Sequence, residues 1–173
     1  VPEIWLDEGV LTHINFWYAS DCFYHFGATT HNYINMLASY EHGAKIVCEA
    51  EDVLATRCNS LTVATKDGYI DLNGFDQHVQ YLTPYVNWDD AFTVTSEVPA
   101  VVTVTARPAE DKYLDIPARF CGAVGYSHAI ATCTNGFYKH FSNTTGPLTI
   151  EKGGLRLRNG AGWGGTNVTV KAG

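Results

Sequence analysis

The chain has 173 residues, 46% of them apolar, and a formal net charge of -7, which suits one domain with its own core. That apolar share excludes wholesale disorder, and no apolar run reaches the ~18 residues of a membrane-spanning helix. The acids are scattered rather than blocked, so a nucleic-acid phosphate backbone would be repelled more than attracted.

In chain order, residues 1–9 form a lead-in holding Trp5 and Leu6 among acids. Residues 10–18 (VLTHINFWY) alternate Val10, Ile14 and Phe16 against Leu11, His13 and Trp17, which predicts one strand. Residues 19–32 read as an aromatic loop carrying Cys22, His25 and His31, and residues 33–40 as a strand. Residues 44–51 (AKIVCEAE) alternate again and predict a half-buried strand, followed by a helical turn over 51–57.

Residues 60–64 and 69–72 flank Lys66-Asp67-Gly68, and Asp-Gly between apolar runs predicts a β-hairpin. Residues 78–85 predict a strand ending at Pro84, and Asn87-Trp88-Asp89-Asp90 a turn. Residues 91–96 and 99–106, rich in Val and Thr, are the most strand-prone part of the chain. After an aromatic and polar loop over 134–146, Leu148/Ile150, Leu155/Leu157 and Val168/Val170 predict three short meander strands. No fixed-period repeat is visible. Short strands with frequent turn signals predict a single all-β domain over 1–173, an antiparallel sandwich or barrel of roughly 9 to 12 strands, with 134–173 as a strand-rich extension.

Four of the five cysteines form sequence-local pairs, Cys48 with Cys58 and Cys121 with Cys133. Local pairing is the simplest arrangement and would make both bridges structural staples, although spacing leaves the connectivity open. Cys22 is left over as a buried thiol or as the link of a homodimer. Sequons at Asn143 and Asn167 supply two N-glycan acceptors, and together with the cysteine count they point to a secreted, extracellular protein.

No catalytic or cofactor signature stands out. The seven histidines include no H-x-x-x-H ligand spacing, and neither a metal nor an organic cofactor is expected. The glycine run around Trp163 lacks the lysine and helix of a phosphate loop. His25 and His31 form a local cluster, while Trp88 and Trp163 sit in turn-rich segments where an exposed ring could stack on a sugar or anchor a protein.

The stretches INFWYAS, AKIVCEAEDVLATRC and VVTVTARPAEDKYLDIPARFCGAVGYSHAIATC, spanning about residues 10–135, resemble the secreted fungal β-barrel proteins related to the major Alternaria allergen, a family that includes plant-defence elicitors. The resemblance is one of cysteine layout and strand pattern. It implies a non-enzymatic secreted β-barrel acting at a plant surface, with Cys22 mapping onto a cysteine that links a dimer in some members. The expectation is thus an effector that binds a host protein. A domain that binds or hydrolyses cell-wall glycan is the alternative.

Overall fold

The computed structural model describes residues 2–6, 10–11, 14–17, 23–27, 30–31, 34–39, 45–54, 61–65, 69–79, 82–84, 92–105, 114–116, 118–129, 136–138, 146–152, 155–157 and 167–171. In chain order these form β1 (Glu3–Leu6), β2 (Val10–Leu11), β3 (Ile14–Trp17), β4 (Phe23–Phe26), β5 (Thr30–His31), β6 (Ile34–Ser39), β7 (Lys45–Cys48), β8 (Leu61–Thr65), β9 (Tyr69–Asp71) and β10 (Gln77–Val79). The second half adds β11 (Leu82–Pro84), β12 (Phe92–Thr95), β13 (Ala100–Val104), β14 (Leu114–Ile116), β15 (Ala118–Phe120), β16 (Val124–Ala129), β17 (Gly136–Tyr138), β18 (Leu148–Lys152), β19 (Leu155–Leu157) and β20 (Val168–Val170). No helix lies among the described residues, and so none long and apolar enough to cross a membrane.

Every strand pairing among these residues is parallel, and each joins strands of successive coils. Glu3 lies beside Phe23, Phe23 beside Lys45, Lys45 beside Tyr69, Tyr69 beside Thr93 and Phe92 beside Ala118, which are steps of 20, 22, 24, 24 and 26 residues. The chain therefore winds as a solenoid with three faces. The first is β1-β4-β7-β9-β12-β15. The second begins with β2-β5 and resumes as β10-β13-β16-β18-β20, and the third carries β3-β6-β8-β11 and then β14-β17-β19.

This corrects the antiparallel sandwich or barrel. Period-two alternation reports which side of a strand is buried and is blind to strand direction. The strands expected to form a hairpin about 66–68 do not pair with each other: β8 pairs with β6 and β11 on the third face, β9 with β7 and β12 on the first. The run read as one strand over 10–18 is split between β2 on the second face and β3 on the third. The expected loop over 19–32 contributes β4 and β5. Over 51–54 the chain turns, with Asp52 at a left-handed φ of 56° rather than in a helix.

No disulfide is seen among the described residues, which hold one cysteine of each expected pair. Cys48 is a fully buried thiol on the inner side of β7. Cys121 is half-buried just after β15, and Cys22, Cys58 and Cys133 lie outside the described residues.

What holds the coils together is column packing. Along the first face the inward residues Tyr24, Ile46, Ile70, Val94 and Phe120 stand in register and are all buried. Along the second, Val102, Tyr126 and Leu148 do the same, and the Phe120 and Tyr126 rings meet across the interior at 5.5 Å. Each such side chain buries apolar area against its neighbours in adjacent coils, worth about 1.5–3 kcal/mol apiece.

The corner between the first and second faces is bound by polar side chains that reach from one coil to the next. Gln77, fully buried, accepts from the Leu54 amide at 3.0 Å and donates to the carbonyls of Ala50 (2.9 Å) and Phe75 (3.3 Å). Asp76 accepts from the Val101 amide at 2.8 Å, and Ser96 Oγ accepts from the Gly74 amide at 3.0 Å. Gly122 completes the corner at φ 63°, where an added Cβ would lie 2.5 Å from the Ser96 carbonyl oxygen. Both the left-handed backbone and the close approach demand glycine there.

Candidate functional site

Parallel stacking turns residues about twenty apart in sequence into neighbours on one surface. The first face repeats an inward-outward-inward triplet, Tyr24-His25-Phe26, Ile46-Val47-Cys48 and Ile70-Asp71-Leu72, whose middle residues point outward. At the first coil the outward position is Trp5, in register with His25. The two rings lie 3.8 Å apart at 7°, a near-parallel stack, yet Trp5 keeps 53% of its surface exposed.

His25 is fixed from below. Its Nδ1 donates to Glu49 Oε1 at 2.6 Å, and Glu49 Oε2 accepts from Asn73 Nδ2 at 3.4 Å. Asn73 is held by its own amide, which donates to Asp71 Oδ1 at 2.9 Å, in a turn where Asn73 has φ 49°. A carboxylate can only accept, so His25 carries a proton at Nδ1, and Nε2 is the ring's other nitrogen. That Nε2 atom is buried without a hydrogen-bond partner. The side chains of His25 and Glu49 are 13% and 26% exposed, so their hydrogen bond is partly shielded from water.

Beside this column runs a second one in register: Glu3, Phe23, Lys45, Tyr69 and Thr93. The Lys45 ammonium lies 5.0 Å from the centre of the Phe23 ring, a cation–π contact. Burial, aided by the nearby Asp71 carboxylate, raises the Tyr69 hydroxyl pKa, so the ring presents a neutral donor across the physiological range. Burial also pushes the Cys48 thiol well up, with Asp71 and Glu49 adding to the effect, which makes Cys48 a poor nucleophile.

The surface therefore offers an aromatic platform, a carboxylate-anchored imidazole, an amide and two carboxylates. Among the described residues, no serine, threonine or cysteine hydrogen-bonds to His25. No group of three or more His, Cys, Asp or Glu side chains able to hold a metal occurs among the described residues.

Of the residues singled out by sequence, His25 is in this site. His31 is not its neighbour in the fold: β5 belongs to the second face and pairs Leu11 with His31. Asn167 is exposed at the start of β20. Trp88, Trp163 and Asn143 lie outside the described residues. Trp5, Glu49 and Asn73 were missed, because only the coil step brings them beside His25, and that step varies from turn to turn. Comparison with protein-family models, with curated proteins and with solved structures finds no match to the chain.

Proposed function

We propose that the protein acts by binding, and that the outward first face around Trp5 receives a carbohydrate. The observation that carries this reading is the half-exposed Trp5 indole, held flat by its stack on His25, which Glu49 in turn anchors. A rigid aromatic plane with one side open suits the apolar face of a sugar ring and costs little side-chain entropy on binding. Glu49, Asp71 and Asn73 lie on the following coils, where they can exchange hydrogen bonds with ring hydroxyls. The expectation that a host protein is the ligand rests on the family resemblance and gains no support from this surface, while Trp88 and Trp163, the rings expected to line a glycan cleft, lie outside the described residues.

The test is a glycan array followed by titration of a hit, read by tryptophan fluorescence and calorimetry. Trp5→Ala should lose at least about tenfold in affinity, equivalent to about 1.4 kcal/mol, with its melting temperature close to that of the wild type because Trp5 lies on an exposed first coil. An array without hits, or undiminished binding by Trp5→Ala, would refute the proposal.

A further inference from the structure

We propose that Asn73-Gly74 is a self-modification site, an asparagine that deamidates through its own backbone, and that the neighbouring coils hold the reaction in check. The pair occupies the centre of the turn that leaves β9. Asn73 and Gly74 have φ of 49° and 83°, and the Phe75 amide donates to the Leu72 carbonyl at 2.8 Å, which makes a type I′ turn. Asparagine is a thermally labile residue. Asn73 is exposed, and the glycine after it presents a backbone nitrogen with no Cβ to hinder approach to the side-chain amide.

The reaction uses only the chain and water. The Gly74 nitrogen gives up its proton to solvent and attacks Asn73 Cγ. The bond from Cγ to Nδ2 breaks, and the departing nitrogen takes a proton from water and leaves as ammonia. The succinimide that remains adds water at either carbonyl carbon. Ring opening leaves an ordinary aspartate or an isoaspartyl linkage whose backbone runs through Cγ.

Side chains from two different coils stand against the first step. Gly74 N–H donates to Ser96 Oγ at 3.0 Å, and Ser96, fully buried, turns its own hydroxyl proton to the Val98 carbonyl. The nitrogen that must attack is thus held as a donor by the following coil. On the preceding coil, Glu49 Oε2 accepts from Asn73 Nδ2 at 3.4 Å. That bond is long, so Ser96 supplies the larger restraint. Parting of the coils releases both reacting groups, and the modification therefore records a loss of stacking. Its product makes the loss permanent: a new carboxylate replaces the amide between Glu49 and Asp71, and an isoaspartyl bond lengthens the turn that Leu72 and Phe75 close.

The experiment incubates the folded protein and the denatured chain in heavy-oxygen water at mildly alkaline pH, with peptide mass spectrometry of Asn73, Asn135 and Asn159. Asn135-Gly136 and Asn159-Gly160 serve as internal standards in the denatured chain. In denaturant Asn73 should react at the standards' rate, with oxygen from water in the new carboxyl group. In the folded protein it should react at least about tenfold more slowly, as a reaction that waits for local opening does. Ser96→Ala, its fold checked by circular dichroism, should raise the folded rate about two- to tenfold, the change that one ordinary hydrogen bond controls. Glu49→Ala should raise it less. A denatured chain that spares Asn73 while the standards react overturns the site. Equal rates in the folded and denatured protein overturn the restraint, and a folded Ser96→Ala protein reacting at the wild-type rate overturns the part given to Ser96.

Discussion

The middle coils and the outer coils of this solenoid are built from the same kinds of residue and have opposite fates. Ile46, Ile70 and Val94 each have a coil on both sides and are buried to within a few per cent. Ile4, Val168 and Val170 hold equivalent inward places in β1 and β20, with a described strand on one side only, and all are exposed. In a stack of this kind burial comes from neighbouring coils more than from the residue's own strand. A strand with a described neighbour on one side can therefore carry a surface such as Trp5 on His25.

The largest effect that could break this contrast is a cavity in the middle. Ile70→Ala, with a coil on both sides, should cost about 2–5 kcal/mol, whereas Val170→Ala should cost less than about 1 kcal/mol, both read by chemical denaturation. Comparable losses would mean that the outer strands are packed as tightly as the inner ones. Next in size is the polar corner. Gln77→Leu keeps the volume but strands the Leu54 amide and the Ala50 carbonyl, and should cost about 1–3 kcal/mol.

A subtler distinction concerns Cys48. Its thiol pKa is raised in the folded state, chiefly by burial, so the folded protein holds that proton more tightly than the unfolded chain does. The associated stability is complete below the ordinary thiol pKa of about 8.5 and is lost as pH rises through the folded value. Melting temperature should therefore fall on the alkaline side, and less steeply in Cys48→Ala. Cys48 should also resist alkylation in the native state and react in denaturant without any reductant, as a cystine would not.

Much of the strand content was legible in the sequence. The alternation over 44–51, 91–96 and 99–106 locates β7, β12 and β13, because one buried side suffices to impose period two. Strand direction was not legible, since Ile46 and Ile70 alternate identically in a meander or a coil. The Asp67-Gly68 signal is local, and it was outweighed by the inward columns that place β8 and β9 on different faces. The repeat was hidden by its uneven step of 20 to 26 residues. The candidate site shared that fate: His25 was noticed, but Trp5 and Glu49 become its partners, and Asn73 the partner of Glu49, only once the coils are stacked.

Parallel stacking is thus the claim on which the site depends, and engineered cross-links test it most directly. Tyr69 and Thr93 are register partners on neighbouring coils, and adjacent strands lie about 4.8 Å apart, within the range a disulfide spans. The double variant Tyr69→Cys with Thr93→Cys should form that bond on mild oxidation, mapped by peptide mass spectrometry. The pair Thr65→Cys with Tyr69→Cys, which a hairpin around Asp67-Gly68 would bring together, should not cross-link. Bond formation in the second pair and its absence in the first would contradict the parallel solenoid and, with it, the grouping of Trp5, His25 and Glu49.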